Sequence, residues 1–159
     1  MGEKRSEWMG KYIALVGDEY RTAVNSLWAV LKEERFEPEE LYIVLEEEKE
    51  ESGLLKNDLE KVLENYDMGC SVESNLLSDI QDVRQMIDGS EDFENGEVAL
   101  DISAASKLTT AEVLMDKGCD LFDHIFYLKI NDEDKFLPLP TIESTNVRLK
   151  DLRSKDQVI

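Results

Sequence analysis

Cysteine is scarce: the 159 residues include two, Cys70 and Cys119. They form no CxxC pair, which excludes a disulfide framework and a redox motif, and both read as small hydrophobes. One histidine, His124, excludes a Cys/His zinc cluster; at the start of an apolar run it reads as a structural residue. Cations are scarce too, with 18 Lys and Arg against 37 Asp and Glu and a formal net charge of −19. That imbalance excludes sequence-independent binding to duplex nucleic acid and attraction to an anionic membrane surface. No apolar run reaches membrane-spanning length, and residues 2–8 hold no apolar signal core, so a cytoplasmic protein without a membrane partner is expected. Neither a GxGxxG nor a GxxxxGK[ST] motif is present, which removes the dinucleotide and P-loop fingerprints. No metal and no cofactor is expected.

What is present is an ordinary apolar fraction, 42%, in a chain long enough for one core. The expected organisation is an N-terminal segment (1–10), a single domain (11–150) and a polar C-terminal tail (151–159). Residues 12–16 and 41–45 are continuous apolar runs, the mark of strands buried on both faces. Between them, Ala23, Leu27, Val30 and Leu31 recur at helical spacing over 22–34, and Pro38 is expected to break that helix. The charge run 46–51 reads as a solvated helix entry, followed by an amphipathic helix through Leu54, Leu59 and Leu63. A short third strand is expected at 68–72, a third helix over 76–87 and a surface loop over 88–96. Val98 to Ile102 makes a fourth strand, 108–115 a helix that stops near Gly118, and 123–130 a fifth strand. The tail around Pro138 and Pro140 is expected to be extended, with a closing strand.

Strands alternating with helices predict an α/β, Rossmann-like, doubly wound and mainly parallel sheet with helices on both faces. Right-handed crossovers give the order 3-2-1-4-5, in which strands 1 and 4 flank the reversal of winding. The loop after strand 1 (Gly17, Asp18, Glu19, Tyr20, Arg21, Thr22) and the loop after strand 4 (Ser103, Ala104, Ala105, Ser106, Lys107) then converge on one crevice. Small side chains let a ligand approach the backbone. Ser106, Lys107 and the N–H groups of the following helix suit an anion such as a phosphate. The alternative for these residues is a helix N-cap with a surface lysine.

Three stretches carry a resemblance to a known family. They are Tyr12-Ile-Ala-Leu-Val-Gly17 leading through Thr22 to Pro38-Glu-Glu-Leu-Tyr-Ile-Val44, then Asp101-Ile-Ser-Ala-Ala-Ser-Lys-Leu-Thr-Thr-Ala111, and Asp123-His-Ile-Phe-Tyr-Leu128 with its proline-containing tail. In this order they resemble the CRISPR-associated Rossmann-fold (CARF) sensor domain, whose fourth-strand segment reads Asp-x-Thr-Gly-Gly-Thr-Lys. The resemblance implies a homodimer that binds cyclic oligoadenylate, often the tetra-adenylate, in type III CRISPR antiviral defence. It implies ligand contacts from Gly17, Arg21, Thr22, Ser103, Ala104, Ala105, Ser106 and Lys107. Some family members also cleave the ligand as ring nucleases; Lys107 and Thr22 would then be the catalytic pair, acting without metal through attack of a ribose 2′-hydroxyl on its neighbouring phosphate. No effector domain follows Leu149, so a stand-alone member or an isolated sensor domain is expected.

Two other readings stand beside this one. Asp18 and Glu19 after strand 1, with Lys129 in strand 5, fit a receiver-like phosphoacceptor domain, which needs an aspartate ending strand 3. Ala104 and Ala105, standing where the family has glycines, fit a degenerate regulatory or scaffold protein that binds no nucleotide.

Overall fold

The computed structural model describes residues 10–47, 50, 52–76, 97–115 and 122–153. The first apolar run forms β1 (Lys11–Val16), buried along its whole length. After it come α1 (Tyr20–Lys32), β2 (Glu40–Leu45), α2 (Ser52–Asn65), β3 (Ser71–Leu76), β4 (Val98–Ala104), α3 (Lys107–Met115), β5 (His124–Ile130) and β6 (Val147–Asp151). Among the described residues the strands form one six-stranded sheet in the order β3-β2-β1-β4-β5-β6. The first five strands pair in parallel, and β6 lies antiparallel to β5. The expected 3-2-1-4-5 winding is present. The tail expected to be extended around Pro138 and Pro140 instead takes two 3-10 turns, Leu139–Thr141 and Ser144–Asn146, and only then returns as the closing strand.

Alternation along the strands sends apolar side chains to both faces. Tyr12 and Ala14 of β1, Ile43 of β2 and Phe126 and Leu128 of β5 meet α1 and α2 in one cluster. Ile13, Leu15, Leu100, Ile102 and Ile125 meet Val113 of α3 on the opposite face. The architecture is therefore an α/β, Rossmann-like sheet covered by helices on both sides. Helix α3 buries Thr109 and Val113 and leaves Leu108, Leu114 and Met115 exposed.

Helix α1 stops well before Pro38. Glu34 takes a left-handed conformation (φ 53°), Arg35 N–H donates to the Val30 carbonyl and Glu34 N–H to that of Leu31. This is a Schellman turn with glutamate where glycine is usual. α2 ends the same way at Asp67 (φ 55°), with Met68 N–H donating to Leu63.

The third strand lies later than its apolar signal. Met68, Cys70 and Val72 pack against the core, but Met68 and Cys70 do so from the turn before the strand; β3 is an edge strand with mostly exposed side chains. Leu76, expected in a helix, ends β3. The rest of that expected helix, the loop 88–96, the helix stop at Gly118, Cys119 and residues 1–9 and 154–159 lie outside the described residues.

Two local irregularities distinguish the sheet. Between Ala14 and Val16 of β1 the register of β4 slips by a residue, a bulge that falls at Ile102 and Ser103. On the outer ladder, Lys129 stands directly across from Arg148 and Tyr127 from Lys150, all on the face opposite Leu128 and Leu149.

Candidate functional site

The reversal of winding between β1 and β4 opens a cleft at their C-terminal ends. It measures about 630 Å³ and is lined by Asp18 and Glu19 after β1, Ala104, Ala105, Ser106 and Lys107 after β4, Thr110, Ala111 and Leu114 of α3, Ile102, and Tyr127 of β5. Ser106 is the N-cap of α3: its Oγ accepts from Thr109 N–H at 3.2 Å, and its carbonyl accepts from Thr110 N–H at 3.0 Å. Lys107 opens the helix and is exposed.

An anion already sits at this helix start. Glu46, the first residue after β2, is fixed by its N–H to the Val16 carbonyl at 2.9 Å. Its side chain crosses over the end of β1 and accepts from Ser106 N–H at 2.8 Å, from Ser106 Oγ at 2.5 Å and from the Thr109 hydroxyl. Gly17 permits the crossing. A Cβ at Gly17 would stand 2.6 Å from Glu46 Oε2, which would have to shift, and 3.2 Å from the Ser106 nitrogen. The interaction is the expected one between a carboxylate and the positive end of a helix, but from a residue the charge run had marked as solvated. The available signal was position: Glu46 tops a central parallel strand, where ligand crevices form.

Of the eight residues implied by the resemblance, Ala104, Ala105, Ser106 and Lys107 line the cleft together. Gly17 lies beside them, its N–H donating to the Ala104 carbonyl at 2.8 Å. Arg21 and Thr22 sit in the first turn of α1, outside the lining, and Thr22 is 6% exposed. Ser103 is turned inward. Its Oγ bonds Ser26 Oγ of α1 at 3.0 Å and accepts from Leu128 N–H of β5 at 2.8 Å, tying helix, bulge and sheet together.

Beneath the cleft a buried polar group supports the bulge. Asp101 accepts from the Tyr12 hydroxyl and, at 2.9 Å, from Ser103 N–H. Burial pushes the Asp101 carboxyl above the usual range, and hydrogen bonds from Ser103, Ser26 and Tyr12 offset part of the rise. Burial and the Asp101 charge push the Tyr12 hydroxyl well up. A carboxylate this enclosed is a framework element rather than a proton donor to a ligand.

The segment after β5 is tied to the loop after β1 and to α1. Lys135 pairs with Glu19 at 3.3 Å. Asn25, fully buried in α1, donates to the Leu137 carbonyl at 2.8 Å and accepts from Leu139 N–H at 2.9 Å, which clamps the backbone on either side of Pro138. Asn25 gave only one sign in the sequence, a polar residue among the apolar positions of an amphipathic helix. Elsewhere, Cys70 has its thiol pushed up to about 12 by burial and the charges of Glu40 and Glu39, so it is no nucleophile at neutral pH. Among the described residues no cluster of His, Cys, Asp and Glu is placed to hold a metal ion, and no helix is long and apolar enough to cross a membrane.

Comparison with protein-family models, with curated proteins and with solved structures gave no match to this chain.

Proposed function

We propose that this cleft binds a cyclic oligoadenylate, cyclic tetra-adenylate first among them, and that the chain is a cytoplasmic sensor of that second messenger in type III CRISPR defence. The observation that carries the proposal is the joint placement of Ser106, Lys107 and Gly17 at the start of α3, where the winding of the sheet reverses. A phosphodiester oxygen accepts from the Ser106 N–H and hydroxyl, and Lys107 supplies a local positive charge in a chain of net charge −19. Asp18 and Glu19 on the facing wall are acceptors for ribose hydroxyls and adenine amino groups. The exposed apolar side chains Leu108 and Met115 of α3, beside the cleft, suit a second copy of the chain placed across the ligand.

The sensor form of this proposal is stronger than the ring-nuclease form. Thr22, the second member of the catalytic pair, is buried outside the cleft lining, which leaves Lys107 to stabilise charge alone. The receiver-like alternative loses its main requirement, since β3 ends on Asn75 and Leu76 and not on an aspartate.

Calorimetric titration with cyclic tri-, tetra- and hexa-adenylate in EDTA tests the proposal. Binding of one ring is expected, with Lys107→Ala weaker by about tenfold or more. Absence of binding to all three removes it. Chromatography of the incubated ligand is expected to return the intact ring; linear products would make the chain a ring nuclease.

A further inference from the structure

We infer that the outward face of β5 and β6 binds a short stretch of single-stranded nucleic acid, with Tyr127 stacking on a base and Lys129, Arg148 and Lys150 holding the flanking phosphates. The inference goes beyond the ligand of the cleft and stands whether or not a cyclic ring binds there.

Alternation along the ladder puts Tyr127 and Lys129 of β5 and Arg148 and Lys150 of β6 on one face, opposite the buried Leu128 and Leu149. The face is open: Tyr127 is 40% exposed, Lys129 and Arg148 are exposed, and Lys150 is half-buried. Lys129 stands directly across from Arg148, and like charges in that position repel. Among the described residues no carboxylate pairs with Lys129, Arg148 or Lys150. The chain carries 37 acidic side chains against 18 basic ones, yet each charged side chain on this face of the ladder is a cation. A bound phosphate relieves the repulsion that the ladder leaves standing. A carboxylate-rich peptide answers the charges but gives the Tyr127 ring no role. Cations flanking an exposed aromatic on a sheet face are the combination that holds a single strand, whose backbone tracks the cations while a base stacks on the ring. A duplex hides its base faces, and its dense charge meets the net −19 of the molecule. Successive outward residues on a strand lie about 7 Å apart, so the strip spans only a few nucleotides.

Fluorescence anisotropy of a labelled single-stranded RNA dodecamer, at low ionic strength and on the full chain, tests this. Saturable binding is expected, and the same strand annealed to its complement is expected to bind weaker by about tenfold or more. Tyr127→Phe keeps the ring and is expected to bind as the wild type does. Tyr127→Val keeps a strand-forming side chain and is expected to lose about fivefold or more. Lys129 and Arg148 lie outside the cleft lining, so the double variant Lys129→Gln, Arg148→Gln separates this face from the cleft; it is expected to lose about tenfold or more. Thermal melts confirm that each variant is folded. The DNA strand of the same sequence is titrated beside the RNA to identify the source of the strand, and binding of either carries the inference. No binding of either single strand, or binding that every folded variant leaves unchanged, overturns it. Displacement of the RNA by oligoglutamate at equal charge assigns the strip to an acidic protein segment and overturns it as well.

Discussion

His124 Nδ1 lies 2.7 Å from Asp151 Oδ2, which joins the first residue of β5 to the last residue of β6. The other ring nitrogen faces Glu97 at 3.2 Å, and the ring stacks on Phe126. Burial pulls the His124 pKa down, but the two carboxylates outweigh it and hold the imidazole above its ordinary value of 6.5. The folded state therefore binds the proton more tightly than the unfolded state. This contribution is full below the unfolded pKa and is lost as pH rises through the raised folded pKa. Melting temperatures across pH 6 to 9 should fall faster for the wild-type chain than for His124→Ala; parallel curves would show that the carboxylates do not act on the ring.

Tyr12→Phe removes the hydroxyl that donates to the enclosed Asp101 carboxylate and keeps the ring against Phe36 and Phe126. Leaving that acceptor short of a partner should cost about 1–3 kcal/mol. A urea titration measures it, and an unchanged midpoint would mean that Asp101 is satisfied without Tyr12.

Asn25→Ala cuts both bonds that hold the chain around Pro138. The expected result is preferential cleavage between residues 131 and 146 under limited proteolysis. The cost, about 2–3 kcal/mol, reflects a buried N–H and a carbonyl left without partners. A digestion pattern identical to the wild type would assign the clamp to the packing of Leu139 instead.

Glu34→Gly relieves the left-handed backbone at the end of α1. The strain released exceeds the chain entropy that glycine adds, so stability should rise by roughly 0.5–1 kcal/mol, seen as a higher denaturation midpoint. A drop would show that the Glu34 side chain, not its backbone, matters to the turn.

The strand order was legible because apolar runs 12–16, 41–45 and 98–102 mark strands buried on both faces, and the crossover rule then leaves few windings. The edge was not. β3 has few buried side chains to write a pattern, so the signal moved to Met68 and Cys70 in the turn before it. The cleft was legible at Ser106 and Lys107 from small residues before a helix. Ser103 belongs to the same small-residue run, but the bulge in β4 turns it inward to Ser26. Glu46 was hidden among like charges, since composition cannot distinguish the glutamate that reaches over Gly17 from exposed neighbours such as Glu47 and Glu50.

The outer ladder has a kinetic consequence. Lys129, Arg148 and Lys150 share one side of β5 and β6 with Tyr127, which reaches the cleft. In a molecule of net charge −19, an incoming polyanion meets repulsion from most directions and a short-range pull along this strip. Arrival is directional, over the β6 edge toward Lys107. Salt screens the long-range repulsion before it screens contacts within a few ångströms, so anions should reach this protein faster as ionic strength rises, the reverse of what a basic receptor shows.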